Sequence, residues 1–296
     1  MTYPIAIDAP ASNRARERLE YQFRLGKDRQ ERLLQKAVAL VIRDRFIDPL
    51  TLRVDARNKV LFIYTGKDRW AEVHSHALGQ ICDRANPKLP RQFIRPMVAG
   101  PLWQQELAQI NINSIYRQGT YLTKGKERAK FLGRFVGPVE NEQMRGFVSQ
   151  YFARHLATLP MLRGFIAACE QDGAQPIDAR SSDMHFSLKC FLPFVFEPIP
   201  SKFYTFGVEF SNSDFADGSL KIALCSRNTD TNTNSVIETS WSKTHLGSII
   251  KESELVLSAS AMAKEVDAVV AILKEAVHKA ISPENVTRLL YVFDKA

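Results

Sequence analysis

The chain has 296 residues, enough for one large domain or two ordinary ones. Hydrophobic residues at 45% and charged residues at 24% are ordinary for a soluble globular protein, and no segment approaches the roughly 20 apolar residues that span a bilayer. The net charge of +8 is unevenly placed: residues 1–148 hold 26 Lys+Arg against 15 Asp+Glu, and residues 149–296 hold 14 against 17. A basic half points to a polyanionic partner, and a solvated Arg-rich helical surface gives the same count. The N-terminus lacks the basic-then-apolar pattern of a secretory signal, so a cytoplasmic protein is expected, with Cys82, Cys169, Cys190 and Cys225 as reduced, buried thiols.

In chain order, residues 1–13 read as a loose arm and Arg14 to Glu20 as a short helix or a mobile segment. Asp28 to Phe46 reads as an amphipathic helix, with Leu33, Leu34, Ala37, Val38, Val41 and Ile42 as its apolar stripe and Pro49 after it. Leu50 to Thr65 alternates around a turn at Ala56-Arg57-Asn58 and predicts a hairpin, with Val60, Phe62 and Tyr64 on its second face. A helix follows over about 69–84, then a proline-rich extended connection over 86–101, then a helix over 102–112.

Ser114 to Thr123 has period-two character around Gly119 and predicts a second hairpin. Helices are expected over 140–159 and 161–171, and strands over roughly 185–195, 203–211, 219–225 and 234–241. Pro193, Pro198 and Pro200 argue for an edge position for the first of these. A long helix over 253–281 and a final one opened by Ser282-Pro283 complete the chain.

The pattern predicts an α+β fold, with a mainly antiparallel sheet and flanking helices. The expected organisation is a basic helical and hairpin region over 1–100 and an α+β domain over 101–296, also readable as one continuous domain. Residues 203–247 hold two alternating strands and are expected at the middle of the sheet.

Sequences for a phosphate-cradling loop or a nucleophile elbow are absent, and no cofactor is expected. His74 and His76 sit two apart, which on a helix points them away from each other, so no metal pair is expected there. Glu209, Asp214, Asp217, Asp230 and Glu238 lie in or near strands, where two of them can meet to hold Mg²⁺ or can serve turns and surface.

Nucleic-acid contact has the strongest chemical case. Tyr116, Arg117, Tyr121, Lys124, Lys126, Arg128, Lys130 and Arg134 interleave rings with positive charges, a composition that stacks bases and neutralises phosphates. Phe131, Leu132 and Phe135 nearby recur at helical spacing and read as core. Arg14, Arg16, Arg18, Arg24, Lys27 and Arg29 add a second basic surface or an oligomer contact.

Three motifs also carry a resemblance. They are Arg128 to Leu132 leading into Pro138 to Asn141, then Gly207 to Asn212-Ser213 with Asp217-Gly218 and a strand, then Arg227, Asn232 and Lys243-Thr244-His245-Leu246-Gly247. In this order, over residues about 125–280, the chain resembles a phage- and plasmid-like family classed as a domain of unknown function, number nine hundred and thirty-two. The motif residues are Asn212, Ser213, Gly218, Arg227, Asn232, His245 and Gly247, with Asp230 and Thr233 where the family has Cys and Gly. The resemblance implies a bacteriophage or mobile-element protein with an α+β fold, and supplies no activity.

Three functions stay open: a nucleic-acid-binding accessory protein of DNA metabolism without turnover, a host-takeover or virion protein acting through a host protein, and a metal-dependent nuclease. The expected partners are single-stranded or duplex DNA, a host protein, or further copies in a homo-oligomer, and no membrane.

Overall fold

The computed structural model describes residues 10–47, 50–55, 57, 60–85, 89–117, 123–124, 127–128, 131–149, 156–215, 217–244 and 259–294. Helix α1 (Pro10–Ala39) is followed by strands β1 (Arg43–Ile47), β2 (Leu52–Asp55), β3 (Val60–Gly66) and β4 (Arg69–Val73). Helices α2 (Ser75–Arg84), α3 (Arg91–Ala99) and α4 (Leu102–Arg117) come next, then a short ladder of β5 (Thr123–Lys124) and β6 (Glu127–Arg128), then β7 (Phe131–Val136) and β8 (Gln143–Ser149). The second part holds α5 (Thr158–Gln171), β9 (Gln175–Ser181), β10 (Phe186–Phe191), β11 (Phe196–Ile199), β12 (Lys202–Asn212), β13 (Ser219–Asn228) and β14 (Asn234–Thr244), closed by α6 (Ala259–Ala280) and α7 (Pro283–Asp294). The fold is α+β, as expected.

Two six-stranded sheets organise the chain. The first has the order β1-β7-β8-β4-β3-β2, antiparallel except for a short parallel contact of Glu72 and Val73 with Gln143 and Met144. Its strands come from both sides of residue 100, so the expected division at that point runs through the middle of a sheet. One face buries Leu52, Leu61, Ile63, Ala71, Met144 and Phe147 against α2, α3 and α4. The second sheet has the order β14-β13-β12-β10-β9, with β11 on β12, and buries a larger core against α5, α6 and α7. Strands β12 and β13 supply its centre, as the alternation of Phe206, Val208 and Phe210 with Leu220, Ile222 and Leu224 implies.

Sheet edges are covered by side chains that imitate a strand. Helix α1 lies along β9 so closely that a Cβ on Gly26 would stand 1.9 Å from the Pro176 carbonyl oxygen. Beside it, Arg29 donates to the Ile177 carbonyl at 3.0 Å. At the far edge of the first sheet, α4 presents Asn113 and Gln109 to the backbone of β2. These contacts satisfy backbone groups that would otherwise template pairing with another chain.

Several local expectations are corrected. The helix expected over 28–46 begins at Pro10 and ends at Ala39, and Arg43–Ile47 is a strand paired with β7. Val38 and Val41 are therefore exposed while Leu33 and Ala37 stay buried. The helix expected from 69 is a strand as far as Val73, the connection over 86–101 contains α3, and α4 runs through 114–117 where a hairpin was expected. Residues 143–149 form a strand in place of a helix, and Pro160 sits in the first turn of α5, where a missing N–H costs nothing. Strand β10 is interior, between β12 and β9, because its prolines fall after it and leave its own N–H groups free to pair.

Candidate nucleic-acid interface

The residues singled out in sequence separate into three groups. Tyr116 and Arg134 point inward, which corrects their assignment to a nucleic-acid surface. The Tyr116 ring packs edge-on against Phe131 and Phe147, and its hydroxyl donates to the Ile81 carbonyl at 2.7 Å. The Arg134 side chain is 2% exposed; its guanidinium donates to the Asp214 carbonyl and lies 3.7 Å from the Asp44 carboxylate. Burial pushes its pKa down, and the two acidic neighbours oppose that shift. Arg117 is exposed at the end of α4. Lys124 and Arg128 belong to the β5–β6 ladder by backbone; Tyr121, Lys126 and Lys130 lie outside the described residues.

The motif residues that are described fix the two connections that flank β13. Buried Asn212 donates through Nδ2 to the Leu156 carbonyl at 3.1 Å and to Thr158 Oγ1 at 2.9 Å. Ser213 Oγ accepts from the Phe215 N–H, and Gly218 turns the chain at φ +95°. Arg227 donates to Asn232 O, Asn232 Oδ1 and Asn234 Oδ1, fixing the β13–β14 turn at the left-handed residue Asn232. His245 and Gly247 lie outside the described residues.

The carboxylates of the nuclease reading each have a partner within the protein. Asp214 Oδ1 accepts from the Thr158 N–H at 2.8 Å, Asp230 pairs with Arg18, Glu209 with Lys189, and Glu238 with Arg288. Asp217 pairs with His185 at 2.8 Å and lies 3.8 Å from His76. Among the described residues no group of three or more His, Cys, Asp or Glu is placed to hold a metal ion. His74 instead caps α2, its Nδ1 accepting from the His76 N–H, and the His76 ring meets the Phe215 carbonyl.

The side of β2, β3 and β4 that turns away from the helices gathers the chemistry expected further along the chain; on β7 and β8 the same side is buried at Arg134 and Val148. On β2, β3 and β4 the residues alternate strictly, so Leu52, Leu61, Ile63, Ala71 and Val73 face the helices. Arg53, Phe62, Tyr64 and Trp70 face away from them. The register sets Arg53 opposite Phe62 and Tyr64 opposite Trp70. The Arg53 guanidinium lies 4.3 Å from the Trp70 ring centroid and 5.7 Å from that of Phe62. Tyr64 meets Trp70 edge-on at 5.4 Å.

Arg53 and Tyr64 are exposed, and Phe62 and Trp70 are half-buried. Rings two residues apart on a strand stand roughly 7 Å apart, which suits successive bases of an extended strand. At the rim, the β3–β4 turn exposes Lys67 and Arg69, and the β2–β3 loop exposes Arg57. A sheet face that carries rings set edge-on, with Arg53 over one of them and further cations at the rim, can stack unpaired bases and hold their phosphates.

Sequence reasoning placed Phe62 and Tyr64 on one strand face but missed Trp70 and Arg53 as their neighbours. The β3–β4 turn places Lys67 and Asp68 at φ 52° and 56°. Gly66 at φ 88° and Asp68 belong to this turn, but it lacks the Asn-Gly or Asp-Gly pair that most strongly announces a tight hairpin. Searches against family models, curated proteins and solved structures return no match to this chain.

Proposed function

We propose that the protein binds single-stranded nucleic acid without turnover, with the open side of β2, β3 and β4 as its base-stacking platform. The observation that carries this reading is the partly exposed cluster of Arg53, Phe62, Tyr64 and Trp70, paired across adjacent strands on one sheet face. The basic excess of residues 1–148 supports it, since it supplies cations for the phosphates. Exposed Arg57, Lys67 and Arg69 are described contributors at the rim of this face.

An unpaired strand fits better than a duplex, because stacking on a flat face needs bases free of their own stack. The resemblance to the phage- and plasmid-like family supports a role in the DNA metabolism of a mobile element, in the cytoplasm of its host.

The test is direct titration of labelled single- and double-stranded oligonucleotides across a salt series. Binding that favours the single strand and weakens steeply with salt is the expected result. No binding at low salt removes the proposal.

A further inference from the structure

On the opposite side of the first sheet, α4 leaves an apolar stripe uncovered. Trp103 is 62% exposed, Leu107 43% and Ile110 60%. They recur four and three residues apart, on one face of the helix, and Ser114 continues the line after a further four. Phe93 on the neighbouring α3, which packs against α4, is also exposed. These rings and chains present roughly 400 Å² of apolar surface, the size of the largest patch on a typical monomer, which is often a functional one.

We infer that this stripe is the interface of a homodimer, α4 packing antiparallel on α4 of a second copy. The stripe is self-complementary about a two-fold axis between residues 108 and 109. That axis sets Leu107 against Ile110 and bulky Trp103 against small Ser114, so each protrusion meets a recess or an equal. The charge pattern favours a like partner as well. Glu106 and Arg117 are the only charged residues of α4, and the axis sets Glu106 against the neutral Asn111. Two copies of a chain with net charge +8 therefore meet here without opposing like charges across the helix pair. About half of a typical 800 Å² per partner is supplied by the apolar chains, the rest falling to a polar rim of Gln104, Glu106 and Asn111. The inference does not depend on the nucleic-acid reading. It places the two open sheet faces on the outside of the dimer, away from the interface.

The test is the solution mass of the full chain by sedimentation, for the wild type, Leu107→Lys and Ile110→Glu, each checked for an unchanged thermal melt because both positions are exposed. The wild type is expected at twice the 33.5 kDa chain mass at tens of micromolar. Each variant alone is expected to sediment as a monomer, since it buries two unpaired charges. An equal mixture of the two variants is expected to recover the dimer. The opposite charges that the two substitutions introduce then face each other on one side of the axis, and Leu107 meets Ile110 on the other. A monomeric wild type overturns the inference and leaves the stripe to a foreign protein. A dimer that survives Leu107→Lys places the contact elsewhere, and a mixture that stays monomeric overturns the antiparallel pairing.

Discussion

Asn113 grips Leu52 with both ends of its amide: Oδ1 accepts from the Leu52 N–H at 2.8 Å, and Nδ2 donates to the Leu52 carbonyl at 2.8 Å. A helix side chain thus completes the ladder of an edge strand whose next residue is Arg53. Both groups are buried, so removing the amide leaves a donor and an acceptor without partners. Asn113→Ala is expected to cost about 2–4 kcal/mol, read by urea unfolding. Gln109→Ala, which leaves only the Val54 N–H unpaired, is expected to cost less.

Arg57 and Arg134 carry the same charge and should give opposite readouts. Arg57→Ala leaves stability within about 0.5 kcal/mol and lowers the salt slope of oligonucleotide binding by about one. Arg134→Met removes the support of the Asp214 carbonyl and is expected to destabilise the fold by about 1–3 kcal/mol, with the salt slope unchanged. Comparing denaturation with salt titration for the two variants separates a phosphate contact from a structural cation.

His76 sets a pH dependence. Burial lowers its pKa from the ordinary 6.5, against the opposing pull of Asp217 and the Phe215 carbonyl; His74 is lowered by burial and by Arg145. A histidine depressed in the folded state takes up its proton more readily when unfolded. Its contribution is therefore full above pH 6.5 and is lost as pH falls below it. Stability should decline on acidification through this range, and His76→Gln, which keeps a donor toward Phe215, should flatten the decline. A decline of equal steepness in that variant would assign it to other groups.

Parts of this architecture were legible in sequence because they are local. Val60, Phe62 and Tyr64 alternate with Leu61 and Ile63 within one hairpin, and Phe206 to Phe210 faces Leu220 to Leu224 across a short turn. The misread stretches are those where two periods coincide or where a distant partner decides. Phe131 and Phe135 stand four apart, which fits a helix face and equally the same side of a strand; the pairing of β7 with β1 and β8 settles it. Arg134 looked like solvent-facing charge because nothing local announces Asp44, ninety residues upstream in sequence, or the Asp214 loop eighty residues downstream. Tyr116 ends an amphipathic helix whose buried side is fixed by Ile81 of α2. The platform was half visible: its β3 rings could be placed on a face, but Trp70 is brought in by a Gly66-Lys67-Asp68 turn that lacks the Asn-Gly or Asp-Gly pair.

The central claim rests on the rings of the open sheet face, and Trp70 is its most exacting test. Anisotropy of a labelled oligothymidylate should be measured at one fixed low salt for the wild type, Trp70→Ala and Tyr64→Ala, with unfolding curves for each. Loss of a stacked base costs about 1–3 kcal/mol, so each variant is expected to bind roughly five- to a hundredfold more weakly, with the salt slope of binding intact. Wild-type affinity in a folded Trp70→Ala protein would contradict the account.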